Sequence, residues 1–192
     1  GGTQTSYGYH ERLDVLGAID YLQSKGIPKD NVGVIGFSMG AGTALLGAAE
    51  EPELKALVAD SPYASASELI VEEVAERTSF PTWFVPIFVP GTKFVARVLF
   101  SIDVGAMTPE KAVSALKYPV LVIHGMDDTR VPVEHGIRVH AATRNAESEL
   151  WLIPGTEHND AFLNYPKEYE SRIAEYFARM LNACNVVARV TC

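Results

Sequence analysis

The sequence predicts an α/β domain: a small, mostly parallel sheet with helices flanking it. Short apolar, β-branched runs alternate with longer amphipathic segments, the rhythm of strand–helix–strand units. One such run, residues 32–36 (VGVIG), passes through Phe37-Ser38-Met39 straight into a small-residue segment, residues 40–50. The length of 192 residues suits one sizeable domain,.

The elements follow in order. Residues 7–25 predict a helix, because Tyr9, Leu13, Leu16, Ile19 and Leu22 recur at steps of three and four,. Gly26 and Pro28 stop it. Residues 32–36 are uncharged and β-branched, which suits a buried parallel strand. Residues 40–50 predict a helix packed close to the sheet, and 54–60 (LKALVAD) the next strand. Residues 61–107 break the rhythm with Pro62, Pro81, Pro86 and Pro90, and they predict a helical cap inserted into the core. Thr108-Pro109-Glu110 is a helix start, with a capping hydroxyl, a proline at the first turn and an acid; that helix ends near Leu116. Residues 119–124 (PVLVIH) form a third strand and Pro132 opens a helix to about Asn145. Residues 149–153 (ELWLI) form a fourth strand, and 166–183 a final helix with Tyr169, Ile173, Tyr176, Phe177, Met180 and Leu181 on its apolar face,. The expected organisation is a core of residues 1–60 and 108–183, a cap of 61–107 and a tail of 184–192.

Composition excludes several classes. With 47% apolar and 21% charged residues, the chain is neither disordered nor collagen-like,. A net charge of −8 argues against binding a nucleic-acid backbone,. No uncharged apolar run is long enough to span a bilayer, so no membrane partner is expected. The start GGTQT lacks the features of a signal peptide, and a cytoplasmic location is the default expectation,. Cys184 and Cys192 stand together near the C-terminus, as free thiols or a local disulfide. They lack metal-ligand spacing with histidine, and neither a metal nor a cofactor is expected.

Gly36-Phe37-Ser38-Met39-Gly40 matches G-x-S-x-G. A nucleophile on a sharp strand-to-helix turn needs unusual backbone angles, and glycine two residues to either side removes Cβ atoms that would clash. The helix N-terminus behind Ser38 offers unpaired N–H groups to a developing oxyanion. A serine hydroxyl needs a base, and the base needs a carboxylate to hold its tautomer. His10, His135 and His140 fall in predicted helices and His124 ends a strand. His158 lies in the loop after the last strand, where a mobile base belongs. Asp60, Asp127 and Asp128 all sit at the carboxyl ends of strands, so each is allowed as the acid.

With these residues in place, the chain resembles the α/β-hydrolase superfamily, in its bacterial serine-esterase branch. The likeness rests on YGYHERLDVLGAIDYL, VGVIGFSMGAGTALLGAAE, KALVADSPYA, PVLVIHGMDDTRVPVEHG and ELWLIPGTEHNDAF. The family pattern HGxxDxxVP, laid on residues 124–132, selects Asp128 as the acid; the family's base falls on His158. The resemblance implies an acyl-enzyme mechanism through Ser38, Asp128 and His158, with the Met39 backbone N–H in the oxyanion hole and a small-molecule ester as substrate. A carboxylesterase of short to medium acyl esters is the leading expectation. A serine peptidase or acyltransferase is the alternative within the family, and a non-catalytic oligomerising module the alternative outside it. In the cap, Trp83 is the best single candidate for an acyl pocket. Family members carry further strands before the segment at which this chain starts, and one of those loops supplies a second oxyanion donor. A truncated sheet is therefore expected. It would leave Val32, Val34 and Ile35 on a bare edge, and a homodimer or higher oligomer would cover them.

Overall fold

The computed structural model describes residues 5–77 and 87–181. Four strands run in the order β1 (Gly33–Phe37), β2 (Ala56–Asp60), β3 (Val120–Gly125), β4 (Glu149–Ile153), and every neighbouring pair is parallel. Register aligns Phe37 with Asp60 and Asp60 with Ile123, so β1 and β2 end together and β3 runs two residues further, beside β4. The ladder runs on past the strand ends: Ser38 N–H donates to the Asp60 carbonyl at 2.8 Å, and Ser61 N–H to the Ile123 carbonyl at 2.8 Å. The groups that follow each strand are thereby held along one edge of the sheet, where α/β folds place their chemistry.

Helices cover both faces. On one, α1 (Arg12–Ser24), α2 (Met39–Glu50), α5 (Pro109–Val113) and α6 (Val133–Ala141) enclose Ile19, Ala44, Leu45, Leu57, Val120, Val122 and Val139. On the other, α7 (Ala161–Asn164) and α8 (Pro166–Met180) bury Tyr169 and Tyr176 against Val58, Leu121 and Ile123. Burial of both faces explains why β2 and β3 read as unbroken apolar runs,. Tyr176 Oη accepts from Leu57 N–H at 2.9 Å and donates to the Pro119 carbonyl at 2.8 Å, so a polar tip is satisfied between two strands,.

The described residues of 61–107 contribute two helices, α3 (Ala66–Arg77) and α4 (Val89–Phe100), and a short 3-10 turn at Val104–Ala106. They meet the core through Tyr63, Ala66, Val104, Met107 and Val131. Helix α3 is also fastened to α6 by polar contacts. His135 Nδ1 accepts from Ala64 N–H at 3.0 Å, which leaves Nε2 to donate to Glu72 at 2.7 Å. Arg138 bridges Glu68 on α3 and Glu110 on α5. Among the described residues, no helix is long and apolar enough to cross a membrane.

Several sequence expectations are corrected. The first helix starts at Arg12, not Tyr7, because Tyr7 and Gly8 adopt positive φ (55° and 107°). His10 therefore lies in the turn before it, and Leu13 faces solvent. Thr108 does not cap α5: its hydroxyl donates to the Gly105 carbonyl, and the helix ends at Val113. The helix after Pro132 ends at Ala141, four residues early. Val32 is not bared on the sheet edge; it is 7% exposed and packs into the core with Ala44 and Leu45, while Ile35 and Phe37 are 39% and 46% exposed. Trp83, Cys184 and Cys192 lie outside the described residues.

Candidate active site

Ser38 stands between β1 and α2 with φ 51° and ψ −119°, a conformation costly for a residue with a side chain,. The turn closes only because Gly36 lacks a Cβ: one built there would lie 2.4 Å from the Gly40 carbonyl oxygen and 2.7 Å from Ala41 Cα. Gly40 differs from expectation, since a Cβ there would meet nothing within 4 Å. The steric demand of the motif falls on its first glycine alone. As the first residue of α2, Met39 has an N–H that the helix cannot pair,.

Three side chains far apart in sequence meet at this turn. His158 Nε2 lies 2.7 Å from Ser38 Oγ, and His158 Nδ1 lies 2.7 Å from Asp128 Oδ2. The His158 side chain is 12% exposed and that of Asp128 fully buried. Asp128 Oδ1 accepts from the N–H groups of Arg130 (3.0 Å) and Val131 (2.8 Å). Burial alone would raise the Asp128 carboxyl. Hydrogen bonds from His124, His158 and Val131 N–H outweigh it and hold the group far below the ordinary carboxylate range,.

The other two carboxylates that the residue types allowed are placed elsewhere. Asp127 is exposed, with its N–H on the Thr156 carbonyl at 3.0 Å. Asp60 is buried and accepts from Tyr169 Oη at 2.7 Å and from Ser61 Oγ at 3.1 Å. Burial raises the Asp60 carboxyl against these bonds. Asp60 thus ties β2 to α8.

Sequence reasoning left His124 as buried structure, and it sits closer to the chemistry than that. Its Nε2 is 2.9 Å from the Val131 carbonyl and 3.4 Å from Asp128 Oδ2. Both partners are acceptors, so this nitrogen carries the proton. Helix α6 approaches the ring at Gly136, where a Cβ would stand 2.4 Å from Nδ1. Gly125 is equally constrained: a Cβ would lie 2.2 Å from the Thr156 carbonyl oxygen, in the loop that carries His158. The dipeptide His124-Gly125 therefore sets both the acid and the approach of the base. The pairing of HG with a downstream Asp was the signal available for it.

Above Ser38 lies a cavity of about 560 Å³. Its walls are apolar (Ala66, Leu69, Ile70, Val74, Ile102 and Met107 among them), and Ser6, Tyr7, Ser38, Tyr63, Glu73 and Arg130 are its polar lining. The size is ordinary for a small-molecule site. Tyr7 was expected to start a helix, with Ser6 just before it. Instead a turn holds them there through Glu11, whose carboxylate accepts from the N–H groups of Ser6 (2.7 Å) and Gly8 (2.9 Å) and from the Ser6 hydroxyl. Burial pushes Glu11 up, but these bonds prevail and lower it to about 2.

Comparison with known proteins agrees with this architecture. Residues 3–184 match the model of the prolyl oligopeptidase family. The chain is 28% identical to the uncharacterized protein YqkD of Bacillus subtilis (strain 168), over 94% of this chain and 58% of that protein. It is 30% identical to the alpha/beta hydrolase domain-containing protein aho-3 of Caenorhabditis elegans, over 93% of this chain and 46% of that one. Among solved structures, the Pyrococcus furiosus esterase Pf2001 superposes with a TM-score of 0.67 at 29% identity, covering 93% of this chain and 65% of the esterase. The chain thus spans about half the length of the curated relatives it matches. The parallel sheet with helices on both faces, the serine on its strand-to-helix turn and a match over nearly the whole sequence place the chain, an α/β-hydrolase, in the prolyl oligopeptidase family.

Proposed function

We propose that the protein is a serine hydrolase, a carboxylesterase for short- to medium-chain acyl esters. The observation that carries this reading is the relay Ser38–His158–Asp128, two contacts of 2.7 Å at the floor of an apolar cavity. Ser38 Oγ attacks the ester carbonyl carbon while its proton passes to His158 Nε2. The carbonyl oxygen becomes an oxyanion facing the Met39 N–H. Asp128 stabilises the imidazolium and fixes its tautomer. Collapse of the tetrahedral intermediate breaks the C–O bond to the alcohol, which leaves with the proton from His158. Water then attacks the acyl-enzyme, giving its proton to His158, and the acid departs as that proton returns to Ser38. Residues 61–107 act as a cap whose α3 and α4 wall the acyl pocket.

A fluorophosphonate probe tests the nucleophile: labelling of Ser38 in folded protein is expected. An unlabelled Ser38 would sink the enzyme reading and leave a non-catalytic, oligomerising module. Asp128→Asn is expected to lower kcat by about 10⁴-fold, whereas Asp127→Asn leaves it near the parent value. The reverse result would reassign the acid. The family match favours one second reading, hydrolysis of a peptide or amide bond on the same scaffold. Rates on p-nitrophenyl butyrate against an aminoacyl p-nitroanilide separate the two.

A further inference from the structure

Helix α4 turns an apolar face to solvent. Phe94, Val98 and Leu99 are 68%, 61% and 69% exposed, and no residue of the helix is buried. Phe94 and Val98 lie one turn apart, with Val95 and Leu99 beside them, and all four are exposed,. The opposite side carries Ala96, which lines the cavity above Ser38. Monomeric surfaces rarely leave such a stripe unused.

Charge identifies the partner. The chain as a whole carries −8, yet residues 77–102 hold Arg77, Lys93 and Arg97 and no acidic residue. Lys93 and Arg97, one turn apart on the flank of the apolar stripe, make no ion pair with any described residue. Two copies meeting through α4 about a two-fold axis would set these cations against themselves. An anionic lipid surface complements both features, taking the aromatic and aliphatic side chains among its acyl chains and the cations among its headgroups. The helix has 12 residues, about 18 Å in length, so it lies along the interface.

From this geometry we infer that α4 docks the protein on anionic membrane surfaces. Ala96 also borders a second apolar groove, between Phe88, Thr92, Val95 and Phe100, so docking sets the cavity one helix away from the acyl layer and makes lipid-borne esters the substrate class. That last step rests on Ser38 being the nucleophile; the docking does not.

The test is co-sedimentation of the whole chain with phosphatidylcholine vesicles containing about a third phosphatidylserine, beside vesicles of phosphatidylcholine alone. Binding to the anionic vesicles is expected, weakening as salt rises. Phe94→Glu/Val98→Glu abolishes it, with the fold monitored by circular dichroism. Lys93→Gln/Arg97→Gln weakens it by roughly 30-fold, at about 1 kcal/mol per cation. Ser38→Ala binds as the parent does, so loss of ester hydrolysis and loss of docking are read separately. Failure to sediment with anionic vesicles, or sedimentation indifferent to both double variants, overturns the inference. A dimer that Phe94→Glu/Val98→Glu converts to monomer, with no vesicle binding by the parent, assigns the face to a second copy and overturns it too.

Discussion

Two carboxylates decide how the site is held. Asp128 is a buried anion whose oxygens are all engaged: two backbone N–H groups on Oδ1, and His158 and His124 on Oδ2. Such a group keeps its charge where an isolated buried acid would not. Glu11 does similar work at a distance, holding the turn that presents Ser6 and Tyr7 to the cavity. Its folded-state value of about 2 lies below the ordinary 4.5. A depressed acid contributes stability that is fully present above its unfolded value and disappears as pH falls through the folded one. Glu11→Gln is therefore expected to cost about 1–2 kcal/mol at pH 7, the range of a lost cap or charged hydrogen bond. The difference from the parent should shrink steadily between pH 4.5 and 2. Urea melts across that range check it; a difference independent of pH would rule out the carboxylate as the source.

At the scale of elements, the turn around Ser38 makes the sharpest contrast. Gly36→Ala places a methyl group 2.4 Å from backbone and should cost at least the ~1–3 kcal/mol of an overpacked core, with loss of ester hydrolysis,. Gly40→Ala meets open space and should be neutral or stabilising by up to about 1 kcal/mol,. Thermal melts of the two variants distinguish them, and equal damage from both would show that the motif is not read one glycine at a time. Sequence periodicity found all four strands and α8 because burial on both faces writes itself into composition, as in β2 and β3. It placed the start of α1 too early because Tyr9 and Leu13 continue the apolar spacing into a segment whose backbone Tyr7 and Gly8 turn the other way. His135 shows the second limit. Its partners, Ala64 and Glu72, lie 71 and 63 residues away, and no local pattern relates them. The three residues of the proposed relay are separated by 120 (Ser38 to His158) and 30 (Asp128 to His158) residues, but each follows the carboxyl end of a strand, and topology alone brings those ends together,.

For the whole molecule, the consequential feature is the free side of β1. Among the described residues it pairs with β2 only, and its other edge leaves backbone donors and acceptors without a ladder. Val32 and Val34 turn inward to the core, so the exposed surface is narrower than the apolar run VGVIG implied. Ile35 and Phe37 remain outward on the α8 side, beside Gly33, where Phe177 packs so closely that a Cβ would sit 2.5 Å from its ring. A parallel sheet with one bare apolar edge invites a strand from another molecule. We therefore expect this chain to form a dimer or larger oligomer at micromolar concentration, and light scattering would read it. Ile35→Lys, which sets a charge on the edge without entering the core, should shift the population to monomer. Substitutions on α4 should leave that equilibrium unmoved, because the two surfaces belong to different elements. A parent chain that is monomeric throughout, or an oligomer that Ile35→Lys does not weaken, would exclude the β1 edge as the interface.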